Sequence, residues 1–320
     1  MPHAQKLSLC TDHRQVPLYG SELNSISLVP RHPEHPMPAN ATGEAPRHRQ
    51  DEAKRDVCFA GAFQSATQSI AVTDAIQRWD LDGLLELLRG GAPDHRAGLA
   101  ALKMAAGEND REKVIELLEM LDRAGVDMNA QDTHGDTALT VAAREGHHEV
   151  VALLVEAVLH SGGDLNAPNK YGFTPLLEAA YKGHQKAAEV LIEGLLQSGG
   201  DLNAANEYGF TPLTRAAYMA RWDVVALLAN ALHQSGGDVN VSTPGYGTAL
   251  TLAGEHHALK AMDQLLDAGA LATDDDLEMI ARLLGFDDAE ISYADVLTRA
   301  TELDLEGVAK ALHAAELPID

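Results

Sequence analysis

A seven-residue pattern returns every 37 residues along the middle of this chain, and no other feature restricts the possible folds as much. Thr137-Ala138-Leu139-Thr140-Val141-Ala142-Ala143 recurs as Thr174-Pro175-Leu176-Leu177-Glu178-Ala179-Ala180 and as Thr211-Pro212-Leu213-Thr214-Arg215-Ala216-Ala217. It recurs more loosely as Thr248-Ala249-Leu250-Thr251-Leu252-Ala253, and one period upstream Ala100-Ala101-Leu102-Lys103-Met104-Ala105-Ala106 fits too. A second landmark holds the same register: Gly163-Asp164-Leu165-Asn166, Gly200-Asp201-Leu202-Asn203 and Gly237-Asp238-Val239-Asn240. A fixed period of this length marks one supersecondary unit used repeatedly, in which neighbours must stack because no unit buries its apolar face alone. The unit is helical. Its threonine offers an N-cap oxygen, proline is pre-set for the first helical position, and the alanines let neighbouring helices approach closely. The glycine pairs suit the positive backbone angle that ends a helix.

Thr-Pro-Leu-x-x-Ala-Ala, then Gly146-His147 or Gly183-His184, then a Val/Leu-rich helix and Gly-x-Asp-Leu/Val-Asn, resembles the ankyrin repeat across roughly residues 97–270. The resemblance implies an all-α solenoid of helix-turn-helix units with outward hairpin-like loops, each unit stacked on the last. The units depart from the family's usual length of about 33 residues. The extra residues fall in the second helix, as in Val150-Val151-Ala152-Leu153-Leu154-Val155-Glu156-Ala157-Val158-Leu159-His160. Four more residues are close to one turn, which lengthens the helix with little rotation of its apolar face. The histidine usual after Thr-Pro-Leu is replaced by Thr140, Leu177 or Thr214, and Tyr246 stands between Gly245 and Gly247 where Gly209 predicts glycine, so an altered turn is expected there. Four regions follow: a disordered leader over 1–66, an N-terminal capping repeat over 67–96, the repeats over 97–273, and an acidic helical C-terminal cap over 274–320. Leu81–Leu88 and Leu305–Leu312 both resemble a degenerate second helix, as the exposed ends of a stack require.

Composition excludes several function classes. The chain has 48 acidic and 24 basic residues, a net charge of -24, which repels nucleic acid and anionic membrane surfaces. No apolar run is long enough to span a bilayer. Cys10 and Cys58 precede the repeats, so a reducing, cytoplasmic setting is expected. The leader holds seven of the thirteen prolines within its first 56 residues, and Arg31-His32-Pro33-Glu34-His35-Pro36-Met37-Pro38 cannot continue a helix. Short apolar pieces such as Ile26-Ser27-Leu28-Val29 are candidates for a docking strand. No catalytic constellation emerges. The Ser-Gly-Gly-Asp runs follow helices, whereas a phosphate loop opens one. Against His147-His148 and His256-His257 as ligands or bases, Gly-His is part of the repeat pattern and the neighbouring histidine reads as solvent-facing. Cys10 with His13 lacks an organised third group, and Asp274-Asp275-Asp276 reads as a solvated helix start. No enzyme activity, metal or cofactor is expected.

Aromatic residues are scarce at 4%, yet Tyr171, Phe173, Tyr181, Tyr208, Phe210, Tyr218 and Trp222 crowd into two adjacent repeats. Six of them form three pairs spaced by 37: Tyr171 with Tyr208, Phe173 with Phe210, Tyr181 with Tyr218. By the resemblance, loop tips and the exposed side of the first helix line a concave groove, which also takes in Lys170, Lys182, Glu207 and Met219. Two readings of the rings stand open: groove anchors for a partner, or packing between repeats, with the phenylalanines divided evenly between them. The expected function is therefore a non-catalytic scaffold, a monomer that binds a protein or peptide in the groove. The alternative is a secreted bacterial effector, exported by a non-classical route on its leader, whose repeats engage a host protein. Residues 260–320 carry four basic and fifteen acidic groups, which would steer a basic partner towards that end.

Overall fold

The computed structural model describes residues 71–286 and 293–316, apart from 76–77, 79 and 91–94, and all of these lie in one compact unit, Cys58–Asp320. The leader over 1–66, with Cys10, His13, Cys58 and the candidate docking strand, lies outside the described residues. The elements are α1 (Leu81–Gly90), α2 (His95–Gly107), α3 (Arg111–Arg123), α4 (Ala138–Glu145), α5 (His148–His160), α6 (Pro175–Lys182), α7 (Gln185–Ser198), α8 (Pro212–Tyr218), α9 (Trp222–Ser235), α10 (Ala249–Glu255), α11 (Leu259–Asp267), α12 (Asp274–Leu283), α13 (Tyr293–Glu302) and α14 (Glu306–Glu316). Among the described residues the fold is all-α, its one β-type feature an isolated bridge between Thr243 and Gly247.

Each repeat begins as its threonine dictates. The side chains of Thr137, Thr174, Thr211 and Thr248 accept hydrogen bonds from the backbone N–H three residues on, at 3.1, 3.2, 3.2 and 3.3 Å. Pro175 and Pro212 occupy the first helical position, where no N–H is needed. The paired alanines Ala142-Ala143, Ala179-Ala180 and Ala216-Ala217 are wholly buried, so first helices α4, α6 and α8 pack side by side with little between them. Second helices α5, α7 and α9 stack in the same order and contribute the larger apolar residues Leu154, Leu191 and Leu228.

Neighbouring repeats are also tied by polar bonds that recur with the period. Nδ2 of Asn129, Asn166 and Asn203 donates to the backbone oxygen of Asp164, Asp201 and Asp238 at 3.1, 2.8 and 2.7 Å. The Gly-His landmark supplies a second tie: Nε2 of His147 lies 2.9 Å from the Gly107 carbonyl, and that of His184 lies 3.0 Å from the Arg144 carbonyl. Both contacts join one repeat to the repeat before it. Gly146 shows how tightly this is fitted, because a Cβ there would stand 2.5 Å from the His184 ring, and its φ is +79°.

The lengthened second helix is visible inside the chain itself. Helices α5, α7 and α9 have 13, 14 and 14 residues, but α11 has 9. Glycines with positive φ after the second helix fall at 125, 162, 199 and 236, each 37 apart, and the next falls at 269, only 33 on. The last such unit therefore lacks one helical turn that the others carry. Beyond it α12 packs on α10, and α14 packs on α11, where Gly307 admits the backbone of Asp263 and Val308 N–H donates to the Asp263 carboxylate at 3.0 Å. Asp274-Asp275-Asp276 does open a helix, but Asp276 is not solvated: it is buried and accepts from both the N–H and the hydroxyl of Thr273, closing a capping box.

Candidate protein-binding groove

The hairpin loops are built on one polar residue per repeat. Asn169 Oδ1 accepts from the N–H groups of Tyr171 and Phe173, and Asn206 Oδ1 accepts from those of Tyr208 and Phe210, all at 3.0 Å. These bonds hold Tyr171 and Tyr208 at successive hairpin tips, 41% and 52% exposed. In the next hairpin Thr243 stands at the Asn position and cannot make both bonds. The turn changes as expected: Thr243 bridges Gly247, Gly245 and Gly247 take positive φ, and Tyr246 becomes the exposed tip residue at 41%.

Register then explains what each repeat presents behind these tips. Asp136 and Arg144 form an ion pair at 2.9 Å, joining the base of a hairpin to α4. The same two positions hold Phe173 and Tyr181 one repeat on, and Phe210 and Tyr218 two repeats on, where the ring centroids are 5.5 Å apart. A charged clasp has become an aromatic one. Asn169 Nδ2 donates to Asp136 at 3.0 Å, but the equivalent Asn206 Nδ2 faces the repeat in which Phe173 replaces that acid, and it is buried without a partner.

Between the clasps, one helical turn earlier on the same face, stand Glu178 and Arg215, both buried and 37 apart. Glu178 lies 3.9 Å from Arg144. Burial pushes its carboxyl above the usual range, and the Arg144 guanidinium opposes this without cancelling it. The Arg215 guanidinium lies 4.5 Å from the centre of the Tyr181 ring, 4.9 Å from Phe210 and 5.7 Å from Tyr218. Burial lowers its pKa, while Tyr181, Tyr218 and Glu178 act in the other direction. Tyr246 closes the cluster, its ring 5.1 Å from both Phe210 and Tyr218.

The sequence-derived residues therefore divide. Tyr171 and Tyr208 are surface residues; Tyr181 and Tyr218 are half-buried partners of Arg215; Lys182 is exposed, its Nζ 5.2 Å over the Tyr181 ring. Phe173 is half-buried, but Phe210 is 4% exposed, so of the two readings left open for it packing applies and it offers no anchor surface. Met219 caps α8 and is half-buried, as is Trp222, which packs on the core and meets His256 edge-on at 5.7 Å. Arg215, Glu178 and Tyr246 were missing from the expected set. The first two carried a signal: charged residues at the position where other repeats have Val141 and Leu252. Tyr246 had none beyond its flanking glycines. Among the described residues no group of three or more His, Cys, Asp or Glu is placed to hold a metal ion, and no helix is long and apolar enough to cross a membrane.

A family model described as ankyrin repeats in three copies matches residues 102–205 and 157–243. Over those residues the stacked units with their capped first helices and hairpins are ankyrin repeats, a module that generally binds protein partners and is typically not enzymatic. No curated protein matches the chain at a significant level.

Proposed function

We propose that this protein is a non-catalytic scaffold that binds a protein or peptide segment along the face formed by its hairpin tips and first helices. The observation that carries this reading is the tyrosine row at three successive tips, Tyr171, Tyr208 and Tyr246, each at least 41% exposed. Tyrosine gives large, rigid contact area at low entropic cost and is enriched where binding energy concentrates. Behind two of these tips lie the half-buried Tyr181 and Tyr218, so a bound segment would meet aromatic surface at two depths. Residues 171–222 are nearly neutral, with four basic and five acidic groups, and the acidic excess of residues 260–320 would bias a neighbouring contact towards basic groups. The test is affinity capture with the full chain, wild type against a variant with alanine at Tyr171, Tyr208 and Tyr246. Partners retained by wild type and lost by a variant of unchanged helicity support the reading. Identical capture by both overturns it.

A further inference from the structure

Arg215 carries a charge that its surroundings do not complete. A guanidinium makes two kinds of contact: its faces stack on rings, and its five N–H groups, all in its plane, need acceptors. The faces are served by Tyr181, Phe210 and Tyr218. The plane is not. Nε is fully enclosed without an acceptor, and no carboxylate among the described residues lies within 4.0 Å ion-pair range of this side chain. Glu178, whose charge it feels, lies 3.9 Å from Arg144 instead.

An earlier repeat satisfies a different arginine, Arg144, whose register equivalent in this repeat is Tyr218, one helical turn beyond Arg215. Arg144 has an acid at 2.9 Å, Asp136, because the base of its hairpin supplies one. At the hairpin position equivalent to Asp136, the repeat that contains Arg215 has Phe210. Leaving a buried charged donor such as Nε unmet is costly, and no residue in this repeat's own hairpin or helix accepts from it. An acceptor from outside can reach the terminal Nη groups, which have no acceptor among the described residues and, unlike Nε, are not fully enclosed. Tyr181, Tyr218 and Tyr246, which surround the guanidinium or close the cluster, all keep some exposed surface, so the cluster borders solvent.

We propose that this cluster recognises a single carboxylate, an Asp or Glu side chain of the bound segment, received by the Arg215 guanidinium and flanked by Tyr181 and Tyr218. The inference rests on the groove reading above. Charge limits the ligand further. One guanidinium balances one negative charge, the Glu178 carboxyl stands nearby, and a chain of net charge -24 repels a segment that is acidic throughout. The fitting ligand is one acid in an otherwise neutral or basic stretch, not a dianionic phosphate.

A displayed random-peptide library selected on the full chain tests this. Selected peptides should share one Asp or Glu at a fixed position. Replacing that carboxylate by its amide should weaken binding to wild type by at least about tenfold. The same replacement should change nothing for Arg215→Met, and Arg215→Lys, which keeps charge but loses the fork, should fall between. Because the amide is placed in the peptide, the first comparison holds even if the Met variant fails to fold. Selection without a shared acid, an amide peptide of equal affinity, or an empty selection overturns the proposal. Peptides lacking an acid but lost on Tyr171→Ala with Tyr208→Ala sink the carboxylate site and leave the groove standing. Peptides indifferent to all tip tyrosines overturn both.

Discussion

The Arg215 guanidinium stacks on the ring of Tyr181 at 4.5 Å, and the two residues belong to successive repeats. The contact couples α8 to α6 through a buried cation rather than through the alanine seam that joins them elsewhere. It also decides what the surface can offer, because rings engaged from below by Arg215 present only part of themselves outward. A cation over a desolvated ring is worth about 2 kcal/mol, so the cluster stiffens the face while leaving the guanidinium edge unmet.

One backbone position repeats with φ > 0 through the whole array: Asn109, Gly146, Gly183, Ala220 and His257, each 37 apart. Glycine is at ease there, but alanine and histidine are strained by their Cβ. Ala220→Gly and His257→Gly should each stabilise the protein by roughly 1 kcal/mol, seen as a higher urea midpoint. A lower midpoint for both would show that the turn is not strained.

The two aromatic layers should respond very differently to truncation. Phe210→Ala empties a buried site among Arg215, Tyr218 and Tyr246, and should cost about 3 kcal/mol. Tyr208→Ala, at an exposed tip, should cost less than about 0.5 kcal/mol. Chemical denaturation of the pair measures the contrast directly.

Glu178 and Asp132 should give stability opposite dependences on pH. Burial raises the Glu178 pKa, so the folded chain holds a proton that the unfolded chain has released between the usual and the raised value. Stability is therefore lost as pH rises through that window, and Glu178→Gln should gain on wild type from about pH 4 upwards. Burial also pushes Asp132 up, but its bonds to Lys103 and to backbone N–H groups of its own hairpin outweigh this and hold it below the usual value. Its contribution is present above the usual value and lost as pH falls towards the lowered one, so Asp132→Asn should differ most from wild type near neutrality. Denaturation midpoints of both variants across pH decide the signs.

The asparagine ties between repeats should contribute individually. Replacing Asn166 or Asn203 by alanine removes one bond of 2.8 or 2.7 Å to the next repeat and should cost about 1 kcal/mol each. The two lie on different interfaces, so the double variant should show near-additive loss. Strong non-additivity would mean that the two interfaces are energetically coupled.

By itself the sequence determined the period, the threonine starts, the glycine ends and the extra turn of the second helix. These are local matters: a cap and its N–H groups lie within three residues of one another, and positive φ belongs to a single residue. The tyrosine pairs were legible for the same reason, since the register that repeats the backbone also repeats its side chains. Only the tertiary structure decided which rings are surface and which are core. Burial depends on what the next repeat brings to the same spot, and that changes along the stack, from Asp136 to Phe173 to Phe210 and from Arg144 to Tyr181 to Tyr218. Arg215 shows it most clearly. In the sequence it is one basic residue in a helix; in the fold it lies among rings from α6, α8 and a hairpin, because stacking places residues 34 and 37 apart on one another, and no local pattern encodes that contact.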